Sequence, residues 1–172
     1  MKPTAQQAVK TANSEVGYTC GTNKRNKYAA FIDKNYSTFY NGKKNGKDFC
    51  DIFVDYCVIY NAKSAKDAEY VLCQPAKSCG AGVKWSWKYY KAKNRTTKTP
   101  KVGAQIFLTK NKKESGLYHT GIVSKVNSKY VWFDAANEGA TKNGKKVRET
   151  KKHKYLRSNV KIYGYGLPRY ST

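Results

Sequence analysis

The chain has 172 residues, of which 40% are apolar, and carries 34 Lys+Arg against 11 Asp+Glu, a formal net charge of +23. That length suits one domain with a proper core, and 15 Tyr, 6 Phe and 3 Trp argue against disorder despite a mean hydropathy of −0.79. Such a charge seeks polyanions: nucleic acid, anionic lipid or the anionic polymers of bacterial walls. Lys outnumbers Arg and is spread along the chain, which fits general attraction better than bidentate base reading and disfavours specific nucleic-acid binding.

The segment Met1-Lys2-Pro3-Thr4-Ala5-Gln6-Gln7 lacks the apolar core of a signal peptide, and no stretch reads as a transmembrane helix. Action outside a cell would therefore require another route of release, by lysis or a helper pore. Five cysteines is an odd count, so at least one stays unpaired within a monomer, the expected state. Cys73 and Cys79 bracket a short loop and could bridge. Cys50 and Cys57 stand about 10 Å apart along a helix axis, too far for a bridge. With two histidines and no CxxC pair, no zinc site is expected.

Residues 4–17 read as a helix, with Ala5, Ala8, Val9, Ala12 and Val16 at helical spacing and Gly17 as its stop. Residues 18–47 read as a long irregular segment holding one apolar island, Tyr28-Ala29-Ala30-Phe31-Ile32. Asp48 is the expected N-cap of a buried helix that starts near Cys50 and ends by Tyr60. Ser64 and Asp67 then form a capping-box pattern for a further helix, and residues 83–92 form another. From Pro100 the period changes to two. Strands are expected at 104–108, 118–126, 129–135, 145–152 and 160–165, with Asn143-Gly144 as a hairpin turn. Helices first and meander strands after them predict an α+β fold over a single domain, residues 1–172, with no internal repeat, linker or separate binding domain.

A thiol in the first turn of a helix faces unpaired N–H groups and the positive end of the dipole, and both favour the nucleophilic thiolate. Cys50 is therefore the candidate nucleophile. Its base is His119, at the start of an apolar strand beside Gly121. His153, in the run Lys151-Lys152-His153-Lys154, reads as a surface residue. If Asn127-Ser128 is a two-residue turn, Asp134 falls opposite Gly121 and shares a sheet face with His119, and a four-residue loop keeps that parity. A three- or five-residue loop favours Asn137 instead.

These residues carry a resemblance. Phe49-Cys50-Asp51-Ile52-Phe53-Val54-Asp55-Tyr56-Cys57 resembles the cysteine motif of the CHAP family, the cysteine- and histidine-dependent amidohydrolases/peptidases. Residues 100–108 are similar to its first core strand, His119-Thr120-Gly121-Ile122-Val123 to its histidine strand, and Gly164 to Tyr170 to its closing segment. The resemblance implies a papain-like α+β fold and hydrolysis of bacterial peptidoglycan, as an N-acetylmuramoyl-L-alanine amidase or an endopeptidase of the phage-endolysin kind. It implies Cys50 as nucleophile, His119 as base, and Asp134 or Asn137 as the orienting group. Some members bind calcium through an Asp-rich loop; no DxDxDG-like run occurs here, so neither metal nor cofactor is expected. Two rival readings are a Cys-His acyl transferase or protease acting on proteins and a basic nucleic-acid-binding protein.

Overall fold

In the computed structural model, which describes residues 1–75 and 79–172, helices occupy the first half of the chain and one antiparallel sheet the second. Helix α1 (Ala5–Glu15) begins with a full capping box: the Thr4 hydroxyl accepts from Gln7 N, and the Gln7 side chain accepts from Thr4 N. Its Ala8, Val9 and Ala12 are buried against α3 (Cys50–Ile59), whose ten residues are all buried. The cap of α3 is not the expected one. Phe49 occupies that position without a side-chain bond, while Asp48 turns outward to pair with Lys24.

The segment expected to be irregular holds helix α2 (Lys27–Asn35). Asn26 caps it by accepting from Ala29 N, a signal readable beside the apolar island. That island is the packing face: Tyr28 lies 5.0 Å from the rings of both Phe53 and Tyr56 on α3, and its hydroxyl bonds Thr150 at 2.6 Å. Helices α4 (Ala65–Val71) and α5 (Val83–Ala92) follow as expected, with Ser64 accepting from Asp67 N at the start of α4. The proposed Cys73–Cys79 bridge is absent and both thiols are free; Cys79 donates to Gln74 and to Phe39 O. Residues 76–78 of that loop lie outside the described residues.

The sheet has seven strands in the order β1-β6-β5-β4-β3-β7-β2. Its centre is the meander β3 (Gln105–Thr109), β4 (Leu117–Val126), β5 (Tyr130–Lys142) and β6 (Lys145–Leu156). The last strand, β7 (Ile162–Gly166), returns beside β3, and the short strands β1 (Thr19–Cys20) and β2 (Thr96–Thr97) close the edges. Asn143 and Gly144 both adopt positive φ, 50° and 73°, and so make the tight turn between β5 and β6. Ile122 and Ala136 belong to the core packed under α1, α2 and α3. Val123, Phe133 and Ala135 belong to a second cluster with Ile106, Leu108 and Tyr165. The α+β architecture, helices first and sheet after, is therefore the one the sequence predicts.

Two irregularities decide which side chains meet. Val126 pairs with Val131 and Lys125 with Trp132, so the β4–β5 loop has the four residues that preserve the expected parity. A bulge at Ser124 then breaks it: Val123 pairs with Phe133 and Ile122, not Gly121, faces Asp134. A second irregularity lies between Ala135 and Glu138 of β5, where Asn137 takes φ +61°. The first places Asp134 on the helix-covered face with Ile122. The second carries Glu138 back to the face of His119.

Candidate active site

An open cleft of about 1100 Å³ lies between the start of α3, the start of α5 and the β4–β5–β6 part of the sheet. Cys50, His119, Asn137, Glu138 and His153 all line it, whereas Asp134 does not. Three of the four residues singled out from sequence thus share one cavity.

Cys50 is 6% exposed, in a cluster with Val83, Trp87, Phe107 and Leu117. Burial pushes its thiol up to about 12, and the neighbouring Asp51 carboxylate adds to the effect. The backbone N–H groups of Asp51 and Thr120 pull in the other direction but do not prevail. Desolvation of Cys50 in this pocket thus opposes the thiolate that the helix start would favour. Iodoacetamide labelling of Cys50, read by peptide mass spectrometry, should accordingly be slow at pH 7 and rise about tenfold per pH unit toward pH 10. A rate already flat between pH 6 and 9 would show a preformed thiolate and refute this.

Asp51 anchors the helix start. Its carboxylate accepts from Gly82 N (2.9 Å), Ser86 Oγ (2.9 Å) and Gln105 Nε2 (2.8 Å), joining α3 to α5 and β3. Burial raises its pKa, opposed by these three donors. Gln105 Nε2 also donates to Thr120 Oγ1 at 3.0 Å, so a buried polar chain runs from the residue after Cys50 to the residue after His119. Gly121 is required for a local reason: a Cβ there would lie 2.5 Å from Asp134 O and 2.9 Å from the Phe133 ring.

His119 stacks on Tyr118 with 27° between their planes, and its Nε2 lies 2.6 Å from Glu138 Oε1. Glu138, not Asp134, is the carboxylate at the imidazole. Burial alone would raise the Glu138 pKa, but His119 and His153 together overcome it and hold the group near 2. Asp134 is fully buried and forms an ion pair with Lys152 at 2.7 Å, away from the cleft. Burial raises its pKa, and Lys152 opposes that. Asn137 has neither His119 nor Cys50 as a partner: its Nδ2 donates to Asp48 Oδ1 at 3.0 Å, tying the β5 irregularity to the segment before α3. His153, read as a surface residue, instead lies beside Glu138 with its Nε2 2.8 Å from Oε1. Counting back from the Asn143-Gly144 turn puts His153 opposite Asp134, one residue from its observed partner Phe133, because the β5 irregularity between Ala135 and Glu138 intervenes.

Among the described residues no group of three His, Cys, Asp or Glu is placed to hold a metal ion, and no helix is long and apolar enough to cross a membrane. Five cations, Lys44, Lys47, Lys84, Lys110 and Arg148, stand around the cleft. The family model described as CHAP domain matches residues 40–137, more than half of the chain, from before the Cys50 helix to the residue preceding Glu138. No curated protein and no solved structure matches the chain.

Proposed function

Because the chain belongs to the CHAP family, whose members are amidases and peptidases acting by hydrolysis, we propose that it is a bacterial cell-wall hydrolase that cleaves an amide bond of peptidoglycan with Cys50 and His119. The observation that carries this reading is the cleft itself. It gathers a cysteine at a helix start and a histidine whose far nitrogen is held by a carboxylate, 2.6 Å away. That bond keeps the His119 proton on Nε2 and leaves Nδ1 with a free lone pair.

The protonated state of Cys50 shapes the mechanism. The thiol carries its proton in the free protein, so His119 removes it as general base during attack on the amide carbonyl. The sulfur–carbon bond forms, and the tetrahedral oxyanion is held by the Cys50 backbone N–H with one further donor. The imidazolium then protonates the leaving amine as the carbon–nitrogen bond breaks. Water, deprotonated by His119, hydrolyses the thioester and regenerates the thiol. Glu138 accepts from His119 throughout and stabilises the imidazolium, the part assigned from sequence to Asp134 or Asn137.

The test is incubation of isolated peptidoglycan with the protein, with the soluble fragments read by mass spectrometry. New amine ends at L-alanine would mark an amidase; ends within the stem or cross-bridge would mark an endopeptidase. No release from several wall chemotypes would refute the reading. The cations around the cleft and the +23 charge support a second element, attraction to anionic wall polymers such as teichoic acids. Wall binding by the full chain should weaken steeply between 50 mM and 500 mM NaCl in a pull-down, because exposed charges are screened over about 10 Å at 0.1 M. Binding that ignores salt would refute the electrostatic part.

A further inference from the structure

Glu138 is shared between two rings. His119 Nε2 lies 2.6 Å and His153 Nε2 2.8 Å from the same oxygen, Oε1, so the two ring nitrogens can be no farther apart than these two contacts laid end to end. One carboxylate oxygen has two lone pairs: the His119 contact is a hydrogen bond, and the His153 contact is a close ion-pair approach outside hydrogen-bond geometry. His153 is itself firmly seated. Its ring stacks on Phe133 at 5.0 Å with 23° between planes, and meets Tyr155 edge-on at 6.0 Å. Phe133 is fully buried in the core on that side of the sheet, so the ring rests on a rigid floor.

The carboxylate needs such a hold. Glu138 follows a residue with positive φ, at the point where the β5–β6 ladder resumes after its irregularity with Glu138 opposite Glu149. Its side chain is long and gives up rotamer entropy when it is held in one orientation. A single bond to His119 would leave it free to swing about that bond. We propose that His153 is a positioning residue for the reaction: it clamps the Glu138 carboxylate so that Glu138 in turn fixes the ring and tautomer of His119. This rests on the reading of His119 as the base. Other groups near the pair are the hydroxyls of Tyr118 and Tyr155 and the guanidinium of Arg148, whose Nη1 donates to Asn137 O at 3.4 Å. None of them replaces the His153 contact.

The test is ¹H–¹⁵N NMR of histidine-labelled protein at fixed neutral pH without substrate. In the wild type both imidazoles should carry their proton on Nε2, and the His119 Nε2 proton should resonate far downfield. In His153→Phe, whose ring fills the same slot, that proton should move upfield or broaden away. In His153→Gln, whose amide can donate to the same oxygen, it should persist. Peptidoglycan hydrolysis by His153→Phe should lose about tenfold to a hundredfold in kcat with KM little changed, the range typical of partners that orient a functional side chain, and His153→Gln should recover most of it. An unmoved His119 proton in His153→Phe overturns the proposal. So does a wild-type His153 protonated only on Nδ1, which needs no variant to fold. Because the proton is read without substrate, a wild type inert on every wall refutes the reaction while the clamp is judged separately.

Discussion

Cys50→Ala should abolish amide hydrolysis, lowering kcat by at least about 10³-fold, because without the sulfur no acyl intermediate forms and the remaining groups cannot act in its place. The fold should survive. Cys50 is a small member of an apolar cluster, and the residual void is little more than one sulfur atom, so the stability cost is of order 1 kcal/mol. A thermal melt would check this beside the activity assay. Cys57→Ala is the matched control. Cys57 is fully buried two turns deeper in α3, where burial first, and then Glu15, Asp134 and Asp55, hold its thiol well above the usual range. It has no access to the cleft, so its loss should leave activity within about threefold while costing stability comparable to the removal of a buried side-chain group. Equal activity of Cys50→Ala and the wild type would refute the nucleophile. Loss of activity in Cys57→Ala without loss of fold would move the assignment to the deeper thiol.

The parts of this site that were legible in the sequence are those set by local pattern. The all-apolar run after Cys50, the change to period two after Pro100 and the Asn143-Gly144 turn each have a short-range cause, and each lies where the pattern puts it. Helix α2 was hidden because its apolar face is only five residues long within a polar segment; its stability comes from Tyr28 packing on α3 rather than from its own propensity. The third member of the site was hidden for another reason. Strand parity transmits a one-residue error to every side chain beyond it, and neither the bulge at Ser124 nor the break at Asn137 follows an obvious glycine. Ser124 is held at its bulge by Lys152, which donates to it at 3.1 Å and reaches Asp134, a contact between residues far apart in the chain. His153 was masked by its basic neighbours. Composition marks that run as solvated, but the end of β6 alternates, with His153 and Tyr155 half-buried between exposed Lys152, Lys154 and Leu156.

Exchanging the two acidic assignments separates them by orders of magnitude. Glu138→Gln should lower kcat by about 10²- to 10⁴-fold, the scale of losing the charge that holds a catalytic imidazole in its working tautomer. The amide still fills the space, but its oxygen carries no charge to stabilise the imidazolium, and its NH₂ can turn toward a ring nitrogen and reverse the tautomer. Asp134→Asn should leave kcat within about threefold, because its ionic partner Lys152 lies on the helix-covered side and neither group lines the cleft. Its cost falls on stability, of order 1–3 kcal/mol for weakening a buried pair whose lysine can relax toward solvent. The pH dependence carries the same distinction. Glu138 is depressed to about 2 from an ordinary 4.5, so its share of stability is fully present above pH 4.5 and is lost as pH falls toward 2, where the unfolded chain has already taken up the proton. Asp134 is raised, so it contributes no such acid limb; its pairing is lost as it protonates above its ordinary range. Urea melts of the wild type at pH 5 and pH 2.5 should therefore differ by more than those of Glu138→Gln, and Asp134→Asn should keep the wild-type steepness between pH 3 and 2. If Asp134→Asn is the inactive variant and Glu138→Gln is not, the register that places Glu138 against His119 is wrong, and the parity inferred from strand counting alone is restored.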